Sequence, residues 1–263
     1  MNSKKQHPPA RENRPRVSLF VTCLADLFRP SVAFASIKLL EQAGYTVDVP
    51  RAQTCCGQPA YNSGEYEATV PLAQQVIELF EPYDYVVAPS GSCAGMICHH
   101  YPRLLQGQWR DRALQLAAKT FELTTFLSDV ADMKRTRRPP VSLPTVTYHD
   151  SCAGLRELGI KEQPRKLLRE LCDTGVRELQ QTDVCCGFGG TFCTKMPEIS
   201  GKMVGDKLAS ALATEAKILA GGDLGCLLNL AGRARRQDQA IEVRHIAELL
   251  VGDLEGPAIG EGQ

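Results

Sequence analysis

The chain has 263 residues, 43% hydrophobic and 23% charged, and its 30 basic residues balance 30 acidic ones. That balance excludes the broad positive field of a nucleic-acid binder, and no apolar run approaches the roughly 20 residues of a membrane helix. Eleven cysteines in so long a chain do not suggest a disulfide-stapled scaffold, because such scaffolds are short and need their staples for want of a core. Thiols kept for metal in a cytoplasmic protein are the expectation.

In chain order, residues 1–16 (MNSKKQHPPARENRPR) are polar, basic and proline-rich and read as a disordered tail. Residues 17–21 are β-prone and lead to Cys23. Residues 31–43 carry helical spacing (Val32, Ile37, Leu39, Leu40) and stop at Gly44, and residues 45–49 form a second strand ahead of Cys55 and Cys56. A helix over 66–80 and a strand over 85–88 follow, the strand delivering Cys93. The charged stretch 132–143, with paired prolines, is the natural linker. Beyond it come a strand over 144–148 before Cys152, a helix over 164–172, the pair Cys185 and Cys186, a long helix over 204–219 closed by Gly221 and Gly222, and Cys226. Residues 253–263 read as a flexible tail. Every motif cysteine is expected at a strand end or in a loop.

The two halves repeat one pattern. Cys23, Cys55-Cys56-Gly57 and Cys93 are separated by 32, 1 and 37 residues; Cys152, Cys185-Cys186-Gly187 and Cys226 by 33, 1 and 40. Lys38-Leu39-Leu40-Glu41 and Lys166-Leu167-Leu168-Arg169 hold corresponding places after the first cysteine of each set. The chain is therefore expected to contain two similar α/β domains, 17–131 and 144–252, related by a pseudo-twofold. Each would be a mainly parallel sheet flanked by helices, with its site outside the carboxyl ends of the strands.

Four thiols per unit is the ligand count of one metal centre. Adjacent residues of an extended strand point to opposite faces, so a vicinal pair addresses one centre only where the backbone turns sharply. Gly57 and Gly187 supply that freedom and leave backbone N–H groups near the sulfurs. An iron–sulfur cluster and a zinc ion both accept four thiolates. The close C-x2-C pairs usual in structural zinc sites are missing, and so are the ferredoxin cysteine run and the G-x-G-x-x-G nucleotide fingerprint.

The doubled C…CCG…C arrangement resembles the cysteine-rich CCG domain, which occurs in heterodisulfide reductases and in the iron–sulfur subunits of glycolate and glycerol-3-phosphate dehydrogenases. From about residue 17 to 251 the chain is most similar to the lactate utilization protein A family. The segments that carry this are Phe20-Val21-Thr22-Cys23, Cys55-Cys56-Gly57-Gln58-Pro59-Ala60, Gly91-Ser92-Cys93, Cys185-Cys186-Gly187-Phe188-Gly189-Gly190-Thr191-Phe192 and Cys226-Leu227-Leu228-Asn229. The resemblance implies an iron–sulfur subunit of an L-lactate oxidation complex. Cys23, Cys55, Cys56 and Cys93 would hold one cluster, and Cys152, Cys185, Cys186 and Cys226 a second. A 4Fe-4S cluster per domain is implied, with zinc at one site as an alternative. The implied partners are a ferredoxin-type iron–sulfur protein and a further subunit of the complex. Relatives that use a fifth cysteine place it three residues after the last motif cysteine; here those positions are Met96 and Asn229, which weighs against a heterodisulfide-reductase-like thiol–disulfide role. The cysteine pattern is also compatible with a glycolate or glycerol-3-phosphate electron-transfer subunit, and with a zinc-stapled assembly protein that has no redox activity.

The remaining candidates carry blander expectations. Cys172 lies on the apolar side of a helix as a core residue. Cys98 and Cys193, close to the motifs, are alternative ligands or redox thiols at best. His149 and His245 read as satisfied structural histidines, and His99 and His100 border a loop with no base or metal partner in view.

Overall fold

The structure, a computed structural model, describes residues 15–133 and 141–261. Two four-stranded sheets share one topology. The first takes β1 (Arg16–Leu19), β2 (Thr46–Asp48), β3 (Tyr85–Ala88) and β4 (Thr120–Glu122) in the order β2-β1-β3-β4. The second takes β5 (Val146–His149), β6 (Val176–Arg177), β7 (Ile218–Gly221) and β8 (Glu242–His245) in the order β6-β5-β7-β8. All six pairings are parallel, with Val17 opposite both Val47 and Tyr85 in one sheet and Val146 opposite both Val176 and Ile218 in the other. Parallel strands need crossover connections, and helices on both faces bury them, so β5 and β7 are covered along their whole length.

The helix Pro30–Gln42 and the helix Glu162–Cys172 hold equivalent places after the first cysteine of each unit. Each packs against the helical segment that follows the last strand of the other unit: Pro30–Gln42 on Ile246–Val251, and Glu162–Cys172 on Leu123–Val130. This exchange generates the pseudo-twofold and a shared core that includes Leu39, Leu40, Phe126, Leu168, Ile246 and Leu250, all buried. Burying each such side chain stabilises by about 1.5–3 kcal/mol, so separating the units would expose this shared core and cost that stability. Arg29 and Ser31 of the first unit reinforce the joint by donating to Oε1 of the buried Glu248 at 2.8 and 2.7 Å. Each unit also has an outer core, that of the second unit including Ala25 and Val32 of the first, and these contain Cys56 with Cys93 and Cys186 with Cys226.

The helix over 66–80 and the strand over 85–88 lie where the sequence puts them. Elsewhere the boundaries shift. The long helix expected over 204–219 instead spans Pro197–Leu212, and the last two residues of the expected stretch belong to β7. The sequence ATEAK after Leu212 suits a helix, but Glu215 turns the chain at φ +55° so that Ile218–Gly221 can pair on both sides with β5 and β8. His99 and His100 lie in helical backbone, in the segment Met96–His100 that continues the helix Gly91–Gly95. Of the first tail, residues 1–14 lie outside the described residues, and Arg16 already belongs to β1. Of the linker, residues 134–140 lie outside them, and Val141 already donates to the Leu171 carbonyl at 3.3 Å. In the segment expected as a flexible C-terminal tail, Ala258 and Ile259 are buried and the Ile259 amide donates to the Val243 carbonyl at 2.9 Å.

Candidate metal centres

The motif cysteines cluster beyond the carboxyl ends of the strands, but several belong to helices rather than loops. Cys23 opens the helix Cys23–Phe28, Cys93 lies in the first turn of Gly91–Gly95, and Cys226 lies in the first turn of Leu224–Arg236. Cys152 immediately precedes the helical segment Ala153–Glu157. Cys55, Cys56, Cys185 and Cys186 remain in loops.

Within each set the sulfurs meet. In the first, Cys23 Sγ lies 3.7 Å from Cys55 Sγ, and Cys56 Sγ lies 3.5 Å from Cys93 Sγ. In the second, Cys152, Cys185, Cys186 and Cys226 form the same chain of sulfur contacts. The vicinal turns are alike in kind: Gly57 and Gly187 sit at φ +83° and +79°, and their amides donate to the sulfurs of Cys55 and Cys185 at 3.4 and 3.3 Å. Neighbouring S–H groups and these amides hold Cys55 and Cys185 far below the usual thiol range, while Cys23, Cys56, Cys152 and Cys186 are pushed up as their donors. Each set therefore prefers anionic sulfur at its centre. Burial grades the same way in both copies: the first cysteine and the first of the vicinal pair are half-buried, the other two buried.

The carbonyl behind each buried vicinal cysteine is braced by a different device. Tyr101 Oη donates to the Cys56 carbonyl at 2.8 Å, and Asn229 Nδ2 to the Cys186 carbonyl at 3.0 Å. Asn229, at one of the two fifth-cysteine positions, thus supports the loop from behind, and Met96, at the other, is fully buried in the outer core. Thr22 adopts φ +46°, unusual for a β-branched residue, to aim Cys23, and its Oγ1 accepts the Ala25 amide at 3.3 Å.

The two sites are tied together by buried polar groups. Asp223, three residues before Cys226, accepts from the Ser92 amide at 2.8 Å and from Ser92 Oγ at 3.1 Å, next to Cys93. His245 Nε2 lies 3.1 Å from the Pro89 carbonyl, and its Nδ1 accepts the Ala247 amide at 3.2 Å, so this histidine is satisfied, as expected. Arg165 clasps Asp150 with two bonds of 2.9 Å and Glu178 with two of 2.7 Å, which pins the loop between β5 and Cys152. A cavity of about 160 Å³ lies between the units, bounded by all four cysteines of the first set and by Phe188 and Asp223 of the second. A second one, about 340 Å³, opens on the outer side of Cys23 and Cys55 beside Asp26 and Arg51.

The other cysteines stay apart. Cys172 is buried with its sulfur 3.6 Å from the Leu249 carbonyl. Cys98 lies 3.5 Å from the Thr120 carbonyl and is pushed up to about 12 by burial, so it is a protonated thiol. Cys193 faces the Gly190 carbonyl at 3.8 Å.

One histidine departs from its expected satisfied role. His149 closes β5, is 1% exposed, and has no hydrogen-bond partner on either ring nitrogen among the described residues. It joins Cys186 and Cys226 in a group whose ligand atoms all lie within 4.8 Å of one another, the one such group of three among the described residues. Burial, and then Lys207, lower its pKa to about 3, so the ring is neutral. Its place, at the end of a buried strand and three residues before a motif cysteine, was the available signal.

Comparison with known proteins agrees with this arrangement. The cysteine-rich CCG domain matches residues 17–98 and again 146–231, one match per sheet. Lactate utilization protein A 2 of Bacillus cereus is 45% identical over 91% of this chain and 99% of its own length. Lactate utilization protein A 1 of Bacillus anthracis is 44% identical over the same shares, and lactate utilization protein A 1 from another Bacillus cereus strain is 47% identical over 89% of this chain and 98% of its own length. The chain belongs to the lactate utilization protein A family. Members of this family and this chain thus share nearly their full lengths, both cysteine-rich units included. Within that framework the donor sets fit a metal–thiolate centre: the ligands are sulfur, the middle sulfur of each set accepts an amide, and no lysine or arginine side chain hydrogen-bonds to the motif sulfurs among the described residues.

Proposed function

We propose that this protein is the iron–sulfur subunit of a lactate-oxidising complex and passes electrons through two cysteine-held centres. The observation that carries the reading is the duplicated set of four converging cysteines, each with a glycine amide on its central sulfur, in a chain of the lactate utilization protein A family. Iron–sulfur clusters bound there would supply one-electron redox chemistry.

The chain's own residues do the rest. Cys23, Cys55, Cys56 and Cys93 would hold the first centre and Cys152, Cys185, Cys186 and Cys226 the second. The amides of Gly57 and Gly187 stabilise charge on sulfur. The buried cysteines sit in dry outer cores, and their half-buried mates face outward, a gradient that suits electrons entering from one side and leaving on another.

A ferredoxin-type iron–sulfur protein would be the electron partner, a further subunit would complete the complex, and the cytoplasm would be the setting. No helix among the described residues is long and apolar enough to cross a membrane. The test is anaerobic purification followed by assay of iron, acid-labile sulfide and zinc with visible and EPR spectra. Iron and sulfide in equal amounts, and bleaching of the spectrum by lactate once the partner subunits are added, are expected. Stoichiometric zinc without sulfide would establish a zinc-stapled assembly protein instead.

A further inference from the structure

The two centres differ at one position that their symmetry makes directly comparable. Three residues before the first motif cysteine, at the end of the leading strand, the first unit has Phe20 and the second His149. Phe20 is fully buried in the outer core with Cys56 and Cys93, its ring 5.5 Å from that of Phe80. His149 occupies the matching place beside Cys186 and Cys226, equally buried, with a polar ring. Leaving a buried polar atom without a partner forfeits its hydration for nothing in return, and both ring nitrogens are in that position. Such a cost persists in a folded protein when something else satisfies the group. The ligand atoms of His149, Cys186 and Cys226, all within 4.8 Å of one another, need close in by only about 1 Å to reach the 3.5–3.8 Å spacing of nitrogen and sulfur around one metal ion at about 2.0–2.3 Å.

We propose that His149 is a nitrogen ligand of the second unit's metal centre, which makes that centre a mixed nitrogen–thiolate site while the first, with Phe20 in the same place, is ligated by thiolate alone. The inference rests on the reading that the cysteine sets hold metal, but it requires neither iron nor lactate. Imidazole accompanies thiolate in many zinc sites and in some iron–sulfur sites, and with all four cysteines in place His149 would add a neutral ligand without adding charge. The surroundings differ between the units as well: Lys207, 2% exposed and donating to the Gln181 and Thr182 carbonyls at 2.7 and 3.2 Å, sets a buried ammonium near Cys185 and Cys186. The corresponding turn of the first unit's helix carries the buried Val76.

The full chain, purified without oxygen after growth on ¹⁵N-histidine, tests this. If iron and sulfide are found, pulsed EPR of the reduced protein should show, in one of two signals, a nitrogen coupling of metal-bound strength that changes with the isotope. His149→Phe, which copies the first unit, should abolish that coupling and leave the other signal unchanged. His149→Gly should regain it when ¹⁵N-imidazole is added, a rescue that a purely structural role would not produce. If zinc is found without sulfide, the cluster reading fails but the inference stands provided that zinc X-ray absorption of the wild type shows a nitrogen neighbour missing from His149→Phe. The absence of a histidine nitrogen on the metal in the wild type overturns the proposal whether or not the variants fold, as does a coupling that survives in His149→Phe.

Discussion

Glu122 stands at the end of β4, 4% exposed, where Oε2 accepts the Thr124 and Thr125 amides at 2.8 and 3.2 Å and also the Thr124 hydroxyl. Burial pushes its pKa from an ordinary 4.5 up to about 7 against the pull of these donors, and the nearby Asp223 adds to the rise. A carboxyl whose folded pKa is raised contributes its full stability below its unfolded pKa and loses it as pH climbs through the folded one. At about 1.36 kcal/mol per pH unit, the rise from 4.5 to about 7 corresponds to about 3 kcal/mol in total. Of this about 2.5 kcal/mol falls between about pH 5 and about pH 8. Glu122→Gln keeps an oxygen for the two amides and removes the charge. Urea unfolding of both proteins across that pH range, followed by circular dichroism, isolates this group, because the difference between them cancels titrations common to both, His149 included. The variant is expected to gain about 2.5 kcal/mol on the wild type between the two ends of the range. A difference that stays constant to within about 0.5 kcal/mol would refute the argument that burial governs this carboxyl.

Three further outcomes follow from the geometry. Gly187→Ala places a methyl group 2.9 Å from the Ser200 carbonyl at a backbone φ of +79°; it should cost at least about 1–2 kcal/mol and lower metal content by up to half, measured by metal analysis of the purified protein, with the first set spared. Gly225→Ala drives a methyl into the Phe188 ring, for a loss of about 1–3 kcal/mol; combining it with Phe188→Ala should cost less than the sum of the two, a coupling that denaturant melts would read. Asp223→Ala strips the Ser92 amide and hydroxyl of their acceptor, so thermal melts should show about 1–3 kcal/mol of destabilisation, and metal analysis should show loss at the first set although the mutation lies in the second unit.

The duplicated α/β architecture was legible from the chain alone, because buried parallel strands and amphipathic helices leave local signals that do not depend on the rest of the chain. The repeated spacing also marked the eight cysteines as candidate ligands and Gly57 and Gly187 as the turn residues, because a vicinal pair demands a turn that glycine makes without strain. The boundary of β7 came from the assembled fold, in which pairing on both sides overrode a helix-favouring stretch. The same assembly turned Cys93 and Cys226 into helix residues and packed Ile259 against the second unit. The role of His149 belongs to the same class. A histidine in a buried strand reads the same whether its nitrogens are satisfied or not, and which applies depends on partners far away in sequence. The cross-unit groups Asp223 and Glu248, and the buried Lys207, were illegible for that reason too: their energies come from carbonyls, amides and side chains that only folding brings within reach.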